Sequence, residues 1–310
     1  DFAYRRKVVC FQREKQRNFP EFRRNFITLS TKEYHSMRGL RLFYPKAYCY
    51  ITGSDQVWAM PLSNPKEAWH YLDFGRAKTR RISYAASFGH NEFPEEDRKM
   101  FVNYIKKFDK ISVREESGLR ICNSMGFDAN RCVDSTLLLD KNEYVNIMSS
   151  RKHFSPYAFI YSVNMTSSSD IFWGEIKDDI QKLGLNTIVT TASGYAPARE
   201  LFGNVNYDYV TPNEWLSNIY YSEIILTSSF HGVVFSLIFK KNFVYFPLSN
   251  SYKTGNDRIT DLLKLVNLGN RTATDGQSAI SLLNSNIDYS SLDFSQLNNL
   301  IKSSKDFITL

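Results

Sequence analysis

Cysteine, clustered histidine and long apolar runs are what this sequence lacks, and each absence closes off a class of protein. Four cysteines, Cys10, Cys49, Cys122 and Cys132, include no C-x-x-C pair. They are too few for the disulfide framework of a small secreted protein, so a reducing compartment fits better. Five histidines, His35, His70, His90, His153 and His231, form neither H-x-x-x-H nor H-E-x-x-H spacing, and no metal centre is expected. The longest nearly unbroken apolar stretch, Val233-Val234-Phe235-Ser236-Leu237-Ile238-Phe239, is far short of the roughly 18 to 20 residues a membrane helix needs.

What is present describes a globular chain. Of 310 residues, 43% are hydrophobic and 23% charged, enough to bury one or two substantial cores and too apolar for a disordered chain. Thirty-nine Lys plus Arg against 32 Asp plus Glu leave a formal charge of +7, which suits an anionic substrate or an anionic membrane surface. Nucleic acid is set aside because the basic residues are scattered. The exception is a cluster near the start, Arg5, Arg6, Lys7, Arg13, Lys15, Arg17, Arg23 and Arg24, which reads as a solvated helix face.

Beyond Phe26, short β-branched or aromatic runs alternate with helical periods, the signature of an α/β protein with mainly parallel sheets. Strands are expected at residues 47–51, 81–85, 110–113 and 131–133, with helices at 95–108 and 115–125 between them. A polar stretch, Ser149-Ser150-Arg151-Lys152-His153, reads as a linker, after which a second series begins. Its strands are expected at 157–163, 186–190, 223–227 and 242–246, its helices at 171–183, 213–220 and 233–239. Two similar halves result, residues 1–148 and 149–310, and the helical spacing of Leu297, Leu300 and Ile301 suggests a last helix that packs back on the first half.

Two units carry chemistry best. Thr227-Ser228-Ser229-Phe230-His231-Gly232 links an apolar strand to a helical run. In an open α/β sheet ligands sit at the carboxyl ends of strands, where a helix start favours an anion and an imidazole can move a proton near neutral pH. Gly53-Ser54-Asp55-Gln56-Val57-Trp58 also leaves a strand, and Asp55, Gln56 and the Trp58 indole are tools for holding a sugar; Asp55 as a turn residue and Trp58 as core weigh equally. Arg114, after the strand Ile111-Ser112-Val113, and Arg258, five residues beyond Lys253, suit a carboxylate or phosphate. Each Arg also has a plain reading, Arg114 paired with Glu115, Glu116 or Asp134, and Arg258 on the surface.

The order and wording of these blocks are more specific than any one of them. Gly53-Ser54-Asp55-Gln56-Val57-Trp58, Tyr71-Leu72-Asp73-Phe74, Ile82-Ser83-Tyr84-Ala85-Ala86-Ser87-Phe88-Gly89, Ile111-Ser112-Val113-Arg114-Glu115, Val133-Asp134-Ser135-Thr136-Leu137-Leu138-Leu139, Ser229-Phe230-His231-Gly232 and Arg258-Ile259 together resemble the polysaccharide pyruvyl transferase family, from about residue 20 to about 271. The resemblance implies a GT-B-like fold of two Rossmann-like halves facing a cleft. It implies transfer of a pyruvyl group from phosphoenolpyruvate (PEP) to a sugar or lipid-linked oligosaccharide, with PEP as donor substrate and no cofactor or metal. His231 would then be the acid, Arg258, Lys253, Arg114 and Ser229 would hold PEP in the second half, and Asp55, Gln56 and Trp58 would hold the acceptor in the first.

Two departures from the family pattern shape the expectations. Many members carry S-R-L-H-G, with an Arg where this chain has Ser229, so Arg258, Lys253 or Arg114 is expected to substitute. Members also open with a strand and an Asn-Tyr-Gly-containing turn, so roughly one βα or βαβ unit of 30 or more residues is expected ahead of Asp1. A nucleotide-sugar glycosyltransferase and a catalytically silent glycan-binding protein stay open as alternatives. A cytoplasmic location with peripheral contact at the inner membrane face completes the expectations.

Overall fold

The computed structural model describes residues 15–309 apart from 60, 61, 63–66 and 192–199. Cys10 and the basic residues Arg5, Arg6, Lys7 and Arg13 lie outside the described residues. In chain order the helices are α1 (Phe19–Phe26), α2 (Met37–Leu42), α3 (Glu95–Ile105), α4 (Glu116–Ser124), α5 (Lys141–Ile147), α6 (Trp173–Lys182), α7 (Pro212–Tyr221), α8 (Phe230–Ile238), α9 (Asp257–Leu265), α10 (Gly276–Leu283) and α11 (Ser295–Ile308). The strands are β1 (Cys49–Asp55), β2 (Arg80–Ala86), β3 (Lys110–Val113), β4 (Asn130–Arg131), β5 (Tyr157–Ser162), β6 (Asn186–Thr191), β7 (Asn206–Tyr207), β8 (Ile224–Thr227) and β9 (Asn242–Tyr245).

Two compact units result, and neither is one continuous segment. The first comprises Ser30–Leu138, Asp257–Val266 and Asp293–Leu310; the second comprises Leu139–Asn256, Asn267–Leu292 and the residues up to Leu29. The division expected at residues 148 and 149 therefore falls earlier, and α1 and α9 each group with the unit opposite to their place in sequence. The polar stretch read as a linker is fastened to the second unit. Ser149 N–H donates to Asn213 O at 3.1 Å, and Lys152 and His153 meet Asp208 at 2.5 and 2.8 Å.

In the first unit, four parallel strands run in the order β1-β2-β3-β4. From Arg81 onward β2 is buried on both faces, as a strand of a covered parallel sheet must be. Strand β1 alternates buried and exposed positions at the sheet edge. Its Gly53 has φ +118°, and a Cβ there would stand 2.0 Å from Tyr84 O, so only glycine fits. The core below gathers Trp58, Tyr71, Phe88, Phe101 and Ile105. Ser304 on α11 accepts from Val133 N–H at 2.9 Å, and α9 supplies Asp261 to the Glu116 N–H at 3.1 Å.

In the second unit five parallel strands run β7-β6-β5-β8-β9. Chain order reverses between β5 and β8, which makes that gap a topological switch point, the place where open α/β sheets bind ligands. Leaving β8, the chain enters α8, whose sequence FHGVVFSLI is buried at seven of nine positions. At Gly232 a Cβ would stand 2.2 Å from Thr227 Oγ1, so this glycine lets the helix pack directly on the end of its strand.

Candidate functional site

The carboxyl ends of β5, β6 and β8 hold a cavity of about 250 Å³, wholly within the second unit. Tyr161 on β5 pairs in register with Thr190 on β6 and Thr227 on β8, so the sheet itself sets the floor. Tyr161, Thr190, Thr211, Trp215, Phe235, His231 and Arg17 are among its lining. His231 sits in the first turn of α8, behind the cap made by Ser229 Oγ, which accepts from Gly232 N–H at 3.4 Å. Ser229 is 4% exposed and also donates its N–H to Thr227 Oγ1 at 3.0 Å. Its side chain therefore orients the helix start.

Arg17 is the residue that sequence reasoning hid. Read as part of a solvated face, it is only 3% exposed, with Nη2 donating to Thr191 O at 2.9 Å and its guanidinium 5.5 Å from the Tyr209 ring centre. Its neighbours in sequence are polar or charged, and its anchor lies 174 residues away, so no local signal marked it. Burial shields a guanidinium from competing water, and no carboxylate is among the described residues lining this cavity.

The first unit presents a contrasting arrangement. Arg114, at the end of β3, is 3% exposed in its side chain and meets Asp134 at 2.7 Å, Asp55 at 3.3 Å and Glu115 at 3.6 Å. Burial alone would lower its pKa, but these three carboxylates outweigh it and hold the guanidinium above its ordinary value. Asp134 also accepts from Ser54 Oγ at 2.8 Å and from the Thr136 N–H at 3.1 Å, while Glu115 accepts from Phe88 N–H at 3.0 Å. Arg258, in the first turn of α9, reaches Asp55 at 3.7 Å with 9% of its side chain exposed. Asp55 keeps 57% of its side chain exposed.

Five separate sequence blocks thus converge on one buried ion-pair network whose open end is Asp55. Arg114 is not placed as a free anion ligand, because its charge is matched by carboxylates. Trp58 is corrected outright: its indole is 2% exposed, stacked on Tyr71 at 5.7 Å and edge-on to Phe101 at 5.7 Å, so no sugar can lie against it. Gln56 is partly buried beside Gly89, and Lys253 is exposed on the turn before α9. His231 and Lys253 belong to the second unit, Arg258, Arg114, Asp55 and Gln56 to the first.

The two buried cysteines, Cys122 and Cys132, are poor nucleophiles. Cys122 is buried and its thiol is pushed up to about 12 by desolvation, while burial also raises Cys132 despite bonds from Ser112 and Ser304. Among the described residues no group of three or more His, Cys, Asp or Glu could hold a metal ion, and no helix is long and apolar enough to cross a membrane.

A family model described as polysaccharide pyruvyl transferase matches residues 4–250, a span that holds the His231 cavity and all of the Asp55 network except Arg258. The chain belongs to the polysaccharide pyruvyl transferase family. No curated protein matches it. Among solved structures it is similar to the UDP-N-acetylglucosamine 2-epimerase of Rickettsia bellii, with a TM-score of 0.51 at 9% identity over 87% of this chain and 74% of that one. The UDP-GlcNAc 2-epimerase of Neisseria meningitidis bound to UDP-GlcNAc gives 0.50 at 12% identity over 87% and 77%. These likenesses show the fold, the GT-B-like class of two Rossmann-like units that the sequence pointed to.

Proposed function

We propose that this pyruvyl transferase takes its pyruvyl group from PEP and transfers it to two hydroxyls of one sugar, closing a pyruvate ketal. His231 protonates the PEP methylene, which becomes a methyl group and leaves an oxocarbenium-like carbon. A sugar hydroxyl adds to that carbon, the bond to the phosphate oxygen breaks with its electron pair going to phosphate, and the second hydroxyl closes the ring. Of the two hydroxyl protons released, one restores His231 and the other leaves with phosphate. Fixed cations and dipoles carry the charge that develops.

The observation that carries this reading is the place of His231. It stands at a topological switch point, on a helix start aimed from the carboxyl end of its strand, in a cavity with no acid among the described residues of its lining. A proton donor beside an anion needs such surroundings, since a nearby carboxylate would repel PEP. In the same reading Asp55, held by Arg114 and Arg258, offers its exposed carboxylate edge to acceptor hydroxyls, with Gln56 beside it. The acceptor is a polysaccharide or lipid-linked sugar. Phosphate release from PEP in the presence of a panel of glycosides tests the assignment. PEP-dependent release that falls at least about 10²-fold in His231→Ala is expected; full release by that variant removes His231 from the chemistry, and turnover of UDP-GlcNAc in place of PEP overturns the reaction class.

A further inference from the structure

We propose that the amino ends of β1 and β2, in the first unit, form a docking surface for an anionic bilayer, where basic side chains meet lipid phosphates and exposed apolar side chains sit among the headgroups. Two hollows of about 410 and 610 Å³ adjoin there, sharing Ala77. Lys46, Arg76, Lys78 and Arg80 line the first, beside Tyr48. Arg41 and Lys107 line the second, where both bond to Asp73. One carboxylate answers one positive charge, so the described linings together stay strongly basic. Such a surface is complementary to the negative potential of anionic lipids.

Apolar side chains stand out from the same stretch of chain. Tyr48 is 72% exposed, Leu42 63% and Phe43 59%, and large apolar groups gathered at a surface mark a contact site. Cations lie against two of the rings. The Arg80 guanidinium is 6.0 Å from the Tyr48 ring centre, and Lys32 Nζ is 3.6 Å from that of Phe43. A ring with a cation beside it suits the membrane interface, with its apolar body toward the acyl boundary and the charge toward phosphate. The aliphatic Leu42 gains nothing from a phosphate backbone, which favours a bilayer over nucleic acid. Asp55 closes β1 at its carboxyl end, so lipid held at the amino end leaves it uncovered.

The test is flotation of the full chain with vesicles of phosphatidylcholine alone and of equal parts phosphatidylcholine and phosphatidylglycerol. Wild type should float with the anionic vesicles and stay behind with the neutral ones. Lys46→Gln combined with Lys78→Gln should lower the partition coefficient at least about tenfold, since each basic residue at an anionic surface contributes roughly fivefold. Lys177→Gln combined with Lys240→Gln makes the same change of charge at exposed positions of the second unit, and should lower it less than about twofold. Tyr48→Ser, which keeps every charge, should weaken binding several-fold. All the substituted side chains are exposed, so the Tm of each variant should match wild type.

A wild type that ignores anionic vesicles overturns the proposal, as does a Lys46 and Lys78 variant that loses no more than the Lys177 and Lys240 variant. Unchanged partition of Tyr48→Ser overturns it too, by removing the apolar contact that singles out a bilayer. Binding of duplex RNA without vesicle binding would assign the surface to nucleic acid, and a dimer that Tyr48→Ser disperses, again without vesicle binding, would assign it to a second copy of the chain. Flotation needs neither PEP nor a sugar, so its outcome is separate from that of the pyruvyl-transfer reading.

Discussion

Each of the two units carries arginine at the carboxyl ends of its strands, and the surroundings of that arginine differ completely. In the first unit Arg114 and Arg258 face Asp55, Asp134 and Glu115, a network knit from five stretches of sequence. In the second, Arg17 lines with His231 a cavity whose described lining has aromatic rings and hydroxyls, and its Nη2 donates to Thr191 O at 2.9 Å. A buried cation whose charge is answered by carboxylates holds a fold together. The blocks by which the family is recognised divide along the same line, most building the Asp55 network and one building the His231 cavity.

The comparison breaks most visibly where charge or bulk is removed from the first unit. Asp134→Ala leaves Arg114 buried with one fewer carboxylate, and a loss of about 3–5 kcal/mol in unfolding free energy is expected, read by urea denaturation. Trp58→Ala should lose about 3–5 kcal/mol by emptying an aromatic core site, with any residual folded protein keeping its acceptor KM. An altered acceptor KM with stability unchanged would restore Trp58 to the acceptor site.

His231→Ala should behave in the opposite sense, with kcat down on the order of 10²-fold or more and the Tm little changed. A collapse in Tm would mean that His231 serves the fold. For Asp208, burial raises the pKa but bonds from Lys152, His153 and Asn218 outweigh it, so the net shift is downward. A carboxylate with a lowered folded pKa adds stability above its unfolded value, roughly 3.9, and that stability is lost as pH falls through the folded value. The Tm gap between wild type and Asp208→Asn should therefore be full at pH 7 and shrink as the pH is taken below about 4. A gap that persists unchanged in acid contradicts this. The smallest effect belongs to Ser229→Ala, about 1 kcal/mol from the lost helix cap, with Ser229→Gly costing only a few tenths.

Most of the fold was legible because the signal was local. Strand β3 falls where the pattern placed it, and β5, β6, β8 and β9 differ from expectation by one residue at an end, since buried parallel strands read as compact apolar runs. The two-residue edge strand β7 has no such run, and the short helices α2, α5 and α10 were not read. The site was half legible. His231 and Asp55 stand at strand ends, where chain order alone points. Trp58 misled because a side chain after a strand can turn to the opening or to the core, and four aromatic neighbours decide for the core. Arg17 was invisible because its burial comes from Thr191 and Tyr209, contacts that only the tertiary fold creates.

The role given to His231 is tested most directly by measuring PEP-dependent phosphate release with wild type and His231→Ala side by side, with the Tm of each. Release at least about 10²-fold lower in His231→Ala, with the Tm little changed, is the predicted result. Full release by His231→Ala would contradict it.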